Sequence, residues 1–140
     1  MAMSAREEQN RRLLRARDTM DRDYGSPLDI PSLARVALMS PAHFSRQFTQ
    51  AFGETPHRYL QRRRIERAMT MLRDADVSVT DVAIAVGYDS LGTFSRTFRE
   101  VTGSTPSQFR DAPAIDVPGC VVSRWTRPSS FGEAPPTPRP

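Results

Sequence analysis

Arg46 and Arg96 each sit in a Phe-Ser-Arg-x-Phe segment, and the two segments lie fifty residues apart. A guanidinium holds its charge at physiological pH and presents a planar fork of N–H donors. That fork fits a phosphate or the edge of guanine, so two arginines in a repeated setting point to nucleic-acid contact. Other chemistries find little support. His43 and His57 are the only histidines, and neither stands at metal-ligand spacing with the single cysteine, Cys120. Nothing arranges serine, histidine and aspartate as a triad, and no glycine-rich phosphate loop occurs. No catalytic residue, metal site or cofactor is expected, and Cys120 reads as inert rather than reactive.

The repetition extends beyond the arginines. Residues 44–56, FSRQFTQAFGETP, and residues 94–106, FSRTFREVTGSTP, agree at seven of thirteen positions. Chance would give about one match. Upstream, Leu33-Ala34 correspond to Val82-Ala83 at an offset of 49, so the second copy carries one extra residue near Leu91. Each copy reads as a short helix, a tight turn and a longer helix, which is the helix-turn-helix arrangement.

The elements that must position these residues follow from periodicity and caps. Residues 6–24 form an amphipathic helix, with Leu13, Leu14, Arg17, Met20 and Tyr24 near one face and Gly25-Ser26-Pro27 as the stop. Residues 31–38 form a short helix with Leu33, Ala34 and Ala37 inward. Ser40 and Pro41 cap a longer one that ends at Gly53 and buries Phe44, Phe48, Ala51 and Phe52. Thr55-Pro56 opens a helix of about 18 residues and ~27 Å, with six arginines against Glu66 alone up to Arg73. Thr80 caps the next short helix, and Gly87 suits a left-handed turn. A longer helix from about Ser90 to Thr102 buries Phe94, Phe98 and Val101, and Thr105-Pro106 opens a last helical turn.

The fold class is therefore all-α: two helix-turn-helix subdomains joined by a long linker helix, a homeodomain-like tandem with an irregular C-terminal tail. The expected boundaries are 6–55 for the first subdomain, 56–74 for the linker, 75–110 for the second and 111–140 for the tail. Seven of the 12 prolines fall in that tail. Its middle, VPGCVVSRW, is apolar enough to dock on the domain or pair as a short strand, and Trp125 either docks or anchors a partner.

The stretches LARVALMSPAHFSRQFTQAFGETPHRYLQRRRIERAMTMLRD and VTDVAIAVGYDSLGTFSRTFREVTGSTPSQFR resemble the AraC/XylS family of transcription regulators. The resemblance covers about residues 10–110. It implies promoter binding by two reading helices, with activation through RNA polymerase. Only about nine residues precede the stretch the resemblance covers, so the chain resembles the stand-alone members or a fragment of a longer regulator.

Helical wheels select the reading surface independently. With Phe44 and Phe48 inward, the opposite face holds Ala42, Arg46, Thr49 and Gln50, flanked by His43 and Ser45. The second copy presents Gly92, Arg96, Arg99 and Glu100, flanked by Thr93 and Ser95. The resemblance places base reading on Ala42, Ser45 and Arg46, and on Leu91, Gly92, Thr93 and Arg96. Ser40 and Ser90, at helix starts, complete the expected DNA-binding set. Two roles stay open for Arg46 and Arg96: DNA contact, or an ion pair to the scaffold, for instance Asp29 or Asp81. Thr93 and Ser95 either touch DNA or cap. Leu91 can pack on a thymine methyl, while Gly92 carries no reading atom. Arg62 and Arg63 either track phosphate or form a solvated face with Glu66. The resemblance makes Arg64 an inward, structural arginine.

Composition agrees with a DNA partner. The 140 residues include 20 basic side chains, all arginine, for a net charge of +4. No apolar run approaches a membrane span, and no secretory signal precedes the first helix. A cytoplasmic monomer bound to double-stranded promoter DNA is expected, since one chain carries both reading heads. Half-sites one duplex turn, about 34 Å, apart would suit them. Two alternatives remain: an architectural DNA binder with little sequence preference, and a protein-interaction module that uses the tail.

Overall fold

The structure is a computed structural model that describes residues 3–112, all-helical in its regular elements. The helices are α1 (Ala5–Arg22), α2 (Ile30–Val36), α3 (Pro41–Phe52), α4 (Pro56–Leu72), α5 (Val79–Ala85), α6 (Leu91–Thr102) and α7 (Pro106–Asp111). They fall into two units that divide within α4, between Leu60 and Gln61. The tail readings from residue 113 onward, with Cys120 and Trp125, lie outside the described residues.

In the first unit, α1 contributes Leu13, Ala16 and Met20 to the core, α2 contributes Leu33 and Ala34, and α3 contributes Phe44, Phe48 and Phe52. Spacings of three and four residues put each set on one helix face. Phe48 is the hub: its ring lies 5.6 Å from Phe44, 4.6 Å from Phe52 and 5.7 Å from Tyr59, centroid to centroid. Such tilted and edge-on pairs add to the burial of apolar area. The Tyr59 hydroxyl donates to Asp21 Oδ1 at 2.7 Å, which fastens the start of α4 to α1. The turn between α2 and α3 bends at Leu38, which adopts a left-handed φ of 57° without being glycine.

The second unit repeats this construction. Ile65, Ala68 and Leu72 of α4 share a core with Val82, Ala83, Val86, Tyr88, Phe94, Phe98, Val101 and Phe109. Phe98 lies 5.7 Å from Phe94 and 5.5 Å from Phe109. Arg110 of α7 donates through Nε to the Leu72 carbonyl at 2.9 Å and through Nη2 to the carbonyls of Asp74 and Val77. It thus satisfies carbonyls that the end of α4 leaves open. The cap of α5 differs from the expected one. Ser78, not Thr80, accepts from the Asp81 N–H at 3.0 Å, so the helix begins at Val79. Thr80 and Asp81 are interior to its first turn.

Candidate nucleic-acid interface

The reading helices start alike. Ser40 Oγ accepts the His43 N–H at 3.2 Å, with Pro41 in the first turn of α3. Ser90 Oγ accepts the Thr93 N–H at 3.2 Å and donates to Thr93 Oγ1 at 3.0 Å. Each cap satisfies one amide that the helix start leaves without a partner. Both helices end at a left-handed glycine, Gly53 and Gly103.

On α3, Ala42, Arg46 and Gln50 are exposed together with Ser40, whereas His43 and Ser45 are half-buried. Thr49 turns its hydroxyl back to the Ser45 carbonyl at 2.8 Å. Gln50 also lines an open cleft of about 370 Å³ between α1 and α3, shared with Arg6, Gln9, Asn10 and Gln47. Gln9 Nε2 donates to Gln47 Oε1 at 2.7 Å across it. Arg6 and Asn10 were not anticipated beside the α3 set. Their four-residue spacing on the polar face of α1 was the available signal.

On α6, Ser90, Leu91, Gly92, Thr93, Arg96 and Arg99 are exposed and Ser95 is half-buried. Leu91 is 44% exposed, one of several large apolar side chains left at the surface with Leu14, Leu38 and Ile84.

The alternatives left open for the arginines separate here. Arg46 and Arg96 are exposed, and neither makes an ion pair or hydrogen bond among the described residues. Asp29 is occupied otherwise, as the N-cap of α2: its Oδ1 accepts the Ser32 N–H at 2.9 Å. Hydrogen bonding from the Ser32 side chain, then from its backbone N–H, with Arg35 nearby, holds the Asp29 carboxyl below the usual aspartate value.

The arginines of α4 behave differently. Of the two readings open for Arg62, the pair with Glu66 is present: the side chain is only 4% exposed and its Nη1 lies 2.7 Å from Glu66 Oε2. The solvated face expected around that pair is absent at Arg62, which is packed against its own unit. Arg63 is half-buried and meets the other oxygen, Glu66 Oε1, at 2.8 Å. Arg64 faces inward, 8% exposed, with its guanidinium carbon 5.7 Å from the centre of the Tyr88 ring. Burial pushes its pKa below the usual arginine value, while Tyr88 and Asp89 act to raise it. Tyr88 is itself pushed up to about 12, chiefly by burial, and its hydroxyl donates to Gln61 Oε1.

Among the described residues no cluster of His, Cys, Asp or Glu could hold a metal ion, and no helix is long and apolar enough to cross a membrane. Two units, each presenting an arginine-bearing second helix, define the class as a tandem helix-turn-helix protein.

A family profile described as a helix-turn-helix domain matches residues 33–112. The chain belongs to the AraC-type helix-turn-helix family of DNA-binding domains. It is similar to an uncharacterized HTH-type transcriptional regulator of Staphylococcus aureus strain COL, 35% identical over 99 residues. That match covers 70% of this chain and 13% of the relative, so the chain spans a small part of that protein's length. An HTH-type transcriptional regulator of Mycobacterium tuberculosis is 39% identical over 83 residues, 59% of this chain and 32% of the relative.

Among solved structures, the DNA-binding domain of the global transcriptional factor AdpA in complex with a target DNA superposes with a TM-score of 0.68. It is 29% identical, over 71% of this chain and 89% of that one. An AraC-type regulator from Chromobacterium violaceum gives a TM-score of 0.66 at 28% identity, over 72% and 90% of the two chains.

Proposed function

We propose that this chain is a sequence-specific, double-stranded DNA-binding transcription regulator that reads two half-sites with α3 and α6. The observation that carries this reading is the contrast among the arginines. Arg62 and Arg64 are buried against their own unit, while Arg46 and Arg96, at matching positions of the two copies, stay exposed with no partner among the described residues. A cation kept outward at equivalent places on two copies of one unit fits a polyanionic partner. The complex of the AdpA domain with DNA supports the same class of ligand.

In this reading Ala42, Ser45 and Arg46 face base edges from α3, with Gln50 and His43 beside them, and Leu91, Gly92, Thr93 and Arg96 do so from α6. Ser40, Ser90, Ser95 and Arg99 stand beside phosphates, and Arg63 supplies a weaker phosphate contact from α4. Arg62 has no part in it. Because one chain carries both helices, the protein binds as a monomer. Activation through RNA polymerase belongs to the same proposal.

Selection of bound duplexes from a random pool tests it. A bipartite preferred sequence, bound at least about a thousandfold more tightly than random DNA, is the expected result. A ratio near one leaves a non-specific architectural binder. A steep fall in affinity with salt is expected in either case, because phosphate contacts release counterions. Transcription from a promoter carrying the selected site then distinguishes activation from repression.

A further inference from the structure

Gly92 has no structural reason to be glycine. It lies in the first turn of α6, its φ is outside the left-handed region, and a Cβ built on it would meet nothing within 4 Å. Alanine would fit there and would favour the helix. At Gly87, by contrast, both the positive φ and the Arg64 side chain demand the missing Cβ. The fold itself therefore makes no demand for glycine at position 92 and leaves open space beside its backbone.

The neighbours of Gly92 say what kind of surface it belongs to. Leu91 precedes it and is 44% exposed. The two hydroxyls at this tip are engaged with each other and with the helix start: Ser90 Oγ donates to Thr93 Oγ1 and accepts the Thr93 N–H. The tip of α6 thus presents leucine methyls beside bare backbone, with the Ser90 hydroxyl turned to capping. The matching turn of α3 carries Ala42, which has a Cβ, and the half-buried imidazole of His43.

We infer that the tip of α6 recognises a thymine methyl, with Leu91 as the contacting side chain and Gly92 as the place where the DNA comes closest. In the major groove the C5-methyl of thymine is the one apolar group on a base edge, so an apolar tip can favour only that. Removing the Cβ at position 92 lets the groove wall approach the helix backbone within van der Waals distance, as glycine does at other close approaches. Arg96, one turn further along α6, stays free for a polar base or phosphate contact. Leu91 and Gly92 are then specificity-determining residues, and α6 discriminates by shape and methyl contact where α3 uses hydrogen bonds. This inference rests on the DNA-binding reading above.

The test uses the full chain and its selected duplex. Each thymine in the half-site assigned to α6 is replaced singly by uracil, which keeps base pairing and removes only the methyl. At one position the wild type should lose about three- to fourfold in affinity, the value of one buried methyl. Leu91→Ala should bind more weakly and no longer distinguish thymine from uracil there. Gly92→Ala should melt at the same or a higher temperature yet lose about fivefold or more in affinity, which separates crowding at the DNA from any fault in folding.

Wild-type binding that is indifferent to every uracil substitution overturns the methyl contact. So does a Gly92→Ala variant that binds as tightly as wild type. A chain that shows no preference among duplexes at all overturns the parent reading instead, so the two failures are distinguishable.

Discussion

The guanidinium of Arg64 lies against Gly87, so close that a Cβ at position 87 would sit 2.9 Å from Arg64 Cζ. The same arginine packs on the ring of Tyr88, the next residue. A side chain of α4 is thereby wedged under the turn that leads into α6, and the turn needs both glycine's φ of 103° and glycine's missing side chain to admit it.

Gly87→Ala should therefore destabilise the protein by about 1–3 kcal/mol, from the left-handed backbone and from displacing Arg64. Denaturant unfolding of Gly87→Ala, Arg64→Ala and the double variant tests the origin. If crowding matters, the double variant costs less than the two single costs combined. Strict additivity would leave only the backbone effect.

Arg46→Ala should weaken binding to the preferred duplex by about 1–3 kcal/mol and relax preference at one base pair if it reads a base. Arg96→Ala should behave alike at the other half-site. Neither side chain has an ion-pair or hydrogen-bond partner among the described residues, so melting temperatures should move little. Fluorescence anisotropy and thermal unfolding on the same samples check both halves.

Arg62→Ala should show the opposite pattern. Its guanidinium is buried on Glu66, which keeps a second partner in Arg63. A loss of about 1–3 kcal/mol of stability is expected from the broken contact. The slope of log affinity against log salt should stay that of the wild type. A slope reduced by about one unit would restore Arg62 to the phosphate contacts.

Tyr88 predicts an alkaline limit. Its folded pKa of about 12 lies above the ordinary 10.0, so the fold holds the phenolic proton more tightly than the unfolded chain does. Stability from this group is complete below pH 10 and is lost as pH rises toward about 12. Tyr88→Phe should remove this component of the fall. Unfolding followed by circular dichroism between pH 9 and 12, at about half-unit steps, measures it.

The aromatic cores of the two units were legible, although Leu14, grouped with the apolar face of α1, is 41% exposed and Ala51 is half-buried. Phe44, Phe48, Phe94 and Phe98 announce themselves through helical spacing, and Ser40, Gly53, Thr55 and Gly103 mark the ends of helices through capping chemistry that acts over three or four residues. These signals are local, and local signals survive in a linear string. The α5 start was misplaced by two residues because Ser78 and Thr80 are both competent caps. The choice between them depends on where Val82 and Ala83 must be buried.

For the reading surface, the sequence by itself determined which residues share the outer face of α3 and of α6, because the periodicity of a helix fixes that without reference to anything else. Periodicity alone could not rank the arginines; the resemblance marked Arg64 as inward but left Arg62 open. Arg46, Arg62 and Arg64 are the same side chain in similarly helical surroundings. What separates them is contact with groups remote in the chain or turned inward with the helix: Gly87 and Tyr88 for Arg64, the buried side of α4 for Arg62, and open space for Arg46. Burial of a charge is set by which surfaces close over it, and that closure exists only once the helices have packed.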